Sequence, residues 1–453
     1  MAERFDILVI GGGPGGHAAA LEAARLGSRT AIIERQGWGG TCTHRGCIPT
    51  KALLACSGPL SGLKKLKRLG IQVGEAAIDF AAMKRHQEQI VKVSALGVQK
   101  SLQEAGVEMI AGEARITAPG EVACTAPDGT ARTLQARDLV VAWGSEPALP
   151  PGVQTSGRIL TSDGLLALKA LPQSLLIVGG SVIGVEFATL YAELGVKVTL
   201  IELLERLLSA EEQEASALLT QELTKIGISV HTGVRMEAIR EGAAGVELRA
   251  VPVKADPATP LELSAEYALI ATGRKPCLHV DQLDSLGIRY DRRGISVDAE
   301  QRTSVPGIYA VGDVTGGMML AHRAIQQGKA LAGRLCGAPE VRCIEEAVPA
   351  VVYTHPPIAR VGLTEAAARE QGLDVQVHRA DFGANIIARA HLMGPGFVKL
   401  LFDGERFLGA TVAGELAGEL IAPLGLALAS GLNRRQLREW IIPHPTLSEV
   451  LVL

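Results

Sequence analysis

Phe5-Asp-Ile-Leu-Val-Ile10-Gly11-Gly-Gly13-Pro14-Gly15-Gly16 opens the chain, and its reading decides the fold. Residues 5–10 form a short apolar run closed by glycine, the pattern of a strand covered on both faces. The glycines then fall as Gly-x-Gly-x-x-Gly. Residues 17–26, rich in Ala, Leu and Glu, read as a helix that Gly27 stops, and Thr30-Ala-Ile-Ile33 reads as a second strand with Glu34 at its end. Each residue type has a task at this spacing. Gly11 permits a tight turn, Gly13 lets the backbone approach a pyrophosphate at the helix N-terminus, and Gly16 lets the helix close on the strand. The carboxylate of Glu34 can accept both ribose hydroxyls. Strand, loop, helix and acid together mark a dinucleotide-binding unit, which the glycines alone would not.

The pattern returns downstream. Leu175-Leu-Ile-Val178 is the strand, Gly179-Gly180-Ser181-Val-Ile183-Gly184 the loop, residues 185–194 the helix and residues 196–201 the second strand, which ends at Glu202. Ser181 replaces the second glycine and is small enough to leave room for a phosphate. A carboxylate at Glu202 accepts from a free 2′-hydroxyl and repels a 2′-phosphate, so NAD is favoured over NADP, with Arg206 nearby as a possible counterweight.

Between the two units stands Gly39-Gly40-Thr41-Cys42-Thr-His-Arg-Gly-Cys47-Ile-Pro-Thr-Lys51. A Cys-x4-Cys pair can close a small disulfide ring and shuttle between dithiol and disulfide. Pro49 is tolerated in a first helical turn, so a helix beginning beside Cys47 is expected, and its N-terminus favours a thiolate there. Read alone, the pair is equally half of a metal site or a chance spacing. Zinc would need a further close pair of Cys or His ligands, and the remaining cysteines (Cys56, Cys124, Cys277, Cys336, Cys343) are scattered. The odd total of seven cysteines in the chain and their spread argue against an extracellular disulfide framework. Two dinucleotide units around a redox pair call for a flavin and a nicotinamide, because a flavin takes a hydride on one side and exchanges electrons with sulfur on the other.

At 453 residues the chain is too long for one core, and two or three domains are expected. The net charge of −3 excludes a nucleic-acid or membrane-surface binder, and no apolar run reads as a bilayer span. The first residues pass directly into a strand, without a signal-peptide pattern, so a cytoplasmic protein is expected.

With Ala271-Thr-Gly273-Arg-Lys-Pro276, Gly307-Ile-Tyr-Ala-Val-Gly-Asp313, Met319-Leu320-Ala321-His322, Tyr353-Thr-His-Pro356 and His444-Pro-Thr-Leu-Ser-Glu449 following in order, the chain resembles the pyridine nucleotide–disulfide oxidoreductases (class I), and among them the members acting on dihydrolipoamide. The resemblance runs nearly end to end. It implies an α/β fold of two Rossmann-like domains binding FAD and NAD, glutathione-reductase-like, plus a C-terminal α+β dimerisation domain. The FAD domain would take 1–147 and 273–340, the NAD domain 148–272, and the interface domain of a homodimer 341–453.

The resemblance also implies roles. The loop 11–16, Glu34, Gly40, Thr41, Gly112, Gly144, Ser145 and Asp313 would hold FAD, with residues 319–322 along the isoalloxazine edge. Lys51 would lie near flavin N5 and pair with Glu186, a cation that stabilises reduced flavin. Gly179, Gly180, Ser181, Ile183, Gly184, Glu186, Glu202, Met236 and Gly273 would frame NAD. Cys47 would face the flavin as the charge-transfer thiolate, and Cys42 would meet substrate. His444, supplied by the other subunit and oriented by Glu449, would deprotonate the incoming dithiol. The implied reaction converts dihydrolipoamide and NAD+ to lipoamide and NADH, on a lipoyl-bearing carrier protein or a 2-oxo acid dehydrogenase-type complex.

The chain departs from this pattern in places. His44 stands between the cysteines where Asn is usual, and would add a titrating group beside the disulfide. Trp143 replaces a Thr before Gly144, and only four residues follow Glu449. The alternatives are a divergent NAD(P)H-dependent disulfide reductase or diaphorase with another disulfide substrate, and a non-enzymatic flavoprotein subunit. The use of NADPH by glutathione-type reductases is opposed by Glu202.

Overall fold

The computed structural model describes residues 3–254 and 259–452. Packing divides the chain into two compact units. The first runs through Ala52 and adds Lys84–Ala148 and Arg274–Cys343, while the second takes Leu53–Met83, Leu149–Gly273 and the chain from Ile344 onward.

The first unit is built on a parallel sheet in the order Glu108–Ala111, Thr30–Glu34, Glu3–Ile10, Ala131–Val141, with Ile308–Ala310 added beyond. The opening strand shows why the sheet is buried on both sides. Leu8 and Ile10 enter one apolar cluster, while Ile7 and Val9 enter the other. Alternation therefore sorts the residues between two cores, so no polar face is needed. The helix Pro14–Arg25 covers one face and lies against the helix Ala321–Leu335. Gly328 makes that approach possible, because a Cβ there would strike the carbonyl of Gly15. Ala131–Val141 pairs in an antiparallel meander with Glu121–Thr125, which pairs with Glu113–Ala118, and from Leu134 onward it also runs parallel beside Glu3–Ile10.

The second unit repeats this plan. Ser229–His231, Lys197–Ile201, Ser174–Val178, Tyr267–Ile270 and Ile159–Leu160 form a parallel sheet in that order. Leu175 and Ile177 face one core, and Leu176 and Val178 the other. A second antiparallel meander joins Val234–Gly242, Gly245–Pro252 and Leu261–Ala265. The C-terminal part is a five-stranded antiparallel sheet: Ala350–Val352, Ile358–Gly362, Arg406–Ala413, Phe397–Asp403, Val375–Asp381. Leu420, Ile421 and Leu424 of the helix Ala417–Ala429 seal one face of it. This α/β architecture with an α+β end is the expected one. Among the described residues, no helix is long and apolar enough to cross a membrane.

Candidate active site

The first glycine loop leaves a cradle at the N-terminus of the helix Pro14–Arg25. Gly11 has φ +112°, and a Cβ on it would run into the Ala142 carbonyl. A Cβ on Gly16 would occupy the place of the Gly11 carbonyl, so helix and strand touch through bare backbone. Gly13 is different: a Cβ there would have nothing within 4 Å. That open space faces the unpaired N–H groups of the first helical turn and fits a pyrophosphate. Glu34 borders it, with Oε2 accepting from the Gly12 N–H at 2.7 Å and Oε1 from the Gln36 and Gly37 N–H groups at 2.6 and 3.1 Å. Gly112 continues the wall, its N–H bonded to the Glu34 carbonyl at 2.9 Å.

The cysteine loop docks on this cradle. The Gly39 N–H donates to the Gly12 carbonyl at 2.9 Å, and a Cβ on Gly40 would lie 2.7 Å from the Gly13 Cα. Thr41 and Cys42 follow in the single turn Gly40–Arg45, Gly46 breaks it, and Cys47 is the first residue of the long helix Cys47–Arg68. Both cysteines are half-buried thiols. The Cys42 thiol is pushed far above its ordinary range, first by its hydrogen bond to Cys47, then by burial and by the charge of Cys47, with Lys51 opposing. Of the two sulfurs, Cys47 is the one at a helix N-terminus, where a thiolate is favoured. The half-buried Lys51 lies one turn further along that helix.

A second polar relay stands in the same unit. The Ser145 hydroxyl donates to Asp313 Oδ2 at 2.6 Å, and Arg274 donates from Nε to Ser145 Oγ at 2.8 Å and from Nη2 to its carbonyl at 2.7 Å. Sequence reasoning passed over Arg274, although it stands inside the quoted Ala271–Pro276 motif. Gly144 precedes Ser145 at φ +73°, and its carbonyl accepts from the Cys277 N–H at 3.0 Å. Leu320 caps the helix Ala321–Leu335, with Met319 half-buried and His322 exposed at the surface. The His44 Nε2 bonds the Trp38 carbonyl at 3.0 Å. Trp143 stands edge-on to His279, with ring centroids 4.6 Å apart.

The other expected residues lie in the second unit. Gly179 has φ +113° and backs onto the Ala271 carbonyl, and a Cβ on Gly184 would strike the Gly179 carbonyl. Ser181 is exposed at the N-cap of the helix Val182–Glu193, which explains how a serine replaces glycine without a clash. Ile183 is half-buried two residues on. Glu202 accepts from the Gly180 N–H at 2.5 Å and the Leu204 N–H at 2.7 Å. Arg206 donates to the carbonyls of Leu208, Ser209 and Glu211 at 3.1, 2.6 and 3.0 Å, so its guanidinium is committed to its own loop instead of to a 2′-phosphate. Gly273 has φ +111° with open space beside it, and Met236 packs near Ile201 and Val234. Buried Glu186 accepts from the Tyr353 N–H at 3.0 Å.

Near the end of the chain, His444 Nδ1 meets Glu449 Oε1 at 2.8 Å, and Glu449 Oε2 accepts from the Thr446 N–H at 3.0 Å. The His444 side chain is 76% exposed. The bond to His444, then that to Thr446, hold the Glu449 carboxyl below its usual range.

Residues 5–328 match the family model described as pyridine nucleotide-disulphide oxidoreductase, and residues 348–453 match that family's dimerisation domain. A dihydrolipoyl dehydrogenase from Chlorobaculum tepidum is 41% identical over 100% of this chain and 96% of its own length. The structure of LpdA from Mycobacterium tuberculosis superposes with a TM-score of 0.91 at 29% identity, covering 99% of this chain and 98% of that one. A Cu(II) complex of the HOCl-induced flavoprotein disulfide reductase RclA from Escherichia coli reaches 0.86 at 28% identity, covering 100% and 98%.

Proposed function

The chain belongs to the pyridine nucleotide–disulphide oxidoreductases, and on that premise we propose that it is a cytoplasmic homodimer that oxidises dihydrolipoamide to lipoamide and reduces NAD+ to NADH. One observation carries the reading. Cys42 and Cys47 lie within hydrogen-bonding reach, the second at a helix N-terminus, on a loop docked against a dinucleotide cradle. Bound FAD supplies a two-electron relay between the sulfurs and the nicotinamide. The residues around the Gly13 cradle, Glu34, Ser145 and Asp313 would hold it within the region 1–147 and 273–340. Glu202 and the Gly179–Gly184 loop would hold NAD within 148–272. The region 341–453 would build the dimer.

The chemistry follows from the cysteine positions. In the oxidised protein the two sulfurs form a disulfide. A substrate thiolate attacks Cys42 Sγ, the Cys42–Cys47 bond breaks, and Cys47 leaves as the thiolate that its helix N-terminus favours. The second substrate thiolate attacks the substrate sulfur held on Cys42. The lipoamide disulfide closes, and Cys42 departs and takes a proton. His444 of the partner subunit accepts the thiol protons, its Nδ1 tied to a carboxylate so that Nε2 is the acceptor. A lipoyl-bearing carrier protein or a 2-oxo acid dehydrogenase-type complex would present the substrate.

The test is steady-state turnover of the FAD-loaded protein with dihydrolipoamide and NAD+, beside NADP+, and beside oxidised glutathione with NADPH. NADH formation that is specific to NAD+ and abolished in Cys47→Ser is expected. Flavin reduction by NADH without any dithiol turnover would overturn dihydrolipoamide as the substrate.

A further inference from the structure

Outside the described chemistry, the second unit buries an unusual cluster of charge. Lys399, on the strand Phe397–Asp403, is 3% exposed, and its Nζ lies 3.1 Å from Glu212, 2.9 Å from Glu214 and 2.5 Å from Glu365. Burial alone would lower this ammonium, but Glu365, Glu214 and Glu212 together hold it above its ordinary value. Beside it Arg360 pairs with the buried Glu211 at 2.8 Å, and Glu212 also accepts from the Glu365 N–H at 3.0 Å. A buried ion set of this kind gives little net stability, because desolvation offsets the attraction; its best-attested use is to fix one arrangement of the chain.

The arrangement it fixes leads to a binding loop. Glu211 and Glu212 end the stretch 203–212, which has no regular secondary structure and directly follows Glu202. Inside it, Arg206 gathers the carbonyls of Leu208, Ser209 and Glu211. Leu208 sits at φ +48°, a left-handed conformation that a leucine keeps only when its surroundings impose it. Its N–H donates to the Gly180 carbonyl at 2.9 Å, and the Leu207 side chain packs where a Cβ on Gly180 would go. Gly180 in turn donates its N–H to Glu202. A continuous set of bonds thus runs from Lys399 and Arg360, in the C-terminal sheet, to the carboxylate expected to hold the adenosine ribose.

We infer that Lys399, Arg360, Glu211 and Glu212 are positioning residues for the NAD site: they pre-order the loop 203–212 and so set nucleotide affinity without touching the nucleotide. The inference rests on the reading of Glu202 and its loop as that site. Without the anchor the loop must be ordered during binding, which lowers affinity by the fraction of competent loop and leaves the chemical step unchanged.

The test uses NADH oxidation by ferricyanide in the FAD-loaded protein, so it does not depend on any dithiol substrate. Lys399→Met removes the central cation. Glu211→Gln is the milder probe, and decides the question if Lys399→Met fails to fold. The expected result is a KM for NADH raised about tenfold in Lys399→Met and about threefold in Glu211→Gln, the range of ordinary coupling energies, with kcat unchanged and flavin retained. An unchanged KM in a folded, flavin-loaded Glu211→Gln would overturn the inference, as would a fall in kcat at constant KM. Loss of dihydrolipoamide turnover in wild type, with ferricyanide reduction intact, would instead count against the substrate assignment alone.

Discussion

Glu34 and Glu202 occupy one position in two loops, each twenty-two residues after the glycine whose N–H it accepts. That repeat is local, so single residues reveal it. His44 is the contrary case. Its place between the cysteines suggests a group that titrates beside the disulfide, yet its Nε2 bonds the Trp38 carbonyl in the loop that supplies the Gln36 and Gly37 N–H groups to Glu34. Losing one hydrogen bond of this kind is worth about 1 kcal/mol, so His44→Asn is expected to weaken FAD retention about fivefold on dialysis. Identical curves of long-wavelength absorbance against pH in the reduced, FAD-loaded wild type and variant would exclude His44 as a titrating neighbour of Cys47. No residue type near Cys42 announces that link, because it depends on the path of the chain through Gly37 to Gly40.

At the scale of the element, the glycines of each loop divide by what their missing Cβ would meet. Gly16 and Gly184 face backbone carbonyls, whereas Gly13 faces open space and Ser181 is exposed. Two substitutions in the second loop should therefore fail in different ways. Gly184→Ala forces strand and helix apart and is expected to destabilise the protein by about 1–3 kcal/mol, read from its thermal melting. Ser181→Leu is expected to melt like wild type and to raise the KM for NADH at least about tenfold, since its bulk enters the phosphate cradle. A normal melting curve for Gly184→Ala would contradict the close helix–strand contact. Both loops were legible as elements because strand, turn and helix are contiguous in sequence. The Gly328 contact was not, since its partner Gly15 lies far away in the chain.

At the scale of the whole molecule, the exposed His444 and the half-buried cysteine pair gain a joint role only in the dimer proposed above. Co-expression of Cys47→Ser with His444→Gln tests this. If the base acts across the interface, each mixed dimer keeps one complete site and about half of wild-type dihydrolipoamide turnover, whereas either variant alone is inactive. Mixed dimers without activity would return His444 to its own subunit.

The sequence by itself determined the two dinucleotide units, the redox pair and the order of the motifs, because hydrophobic period, glycine spacing and a helix start are properties of neighbouring residues. It also carried the preference for NAD, through the charge of Glu202. Only the tertiary structure decided that Arg206 is committed to its own loop, that Arg274 completes the relay to Asp313, and that Lys399 gathers three distant carboxylates. Each of these is a contact between groups separated along the chain or turned by a backbone angle, and their energies depend on distances that sequence spacing does not set.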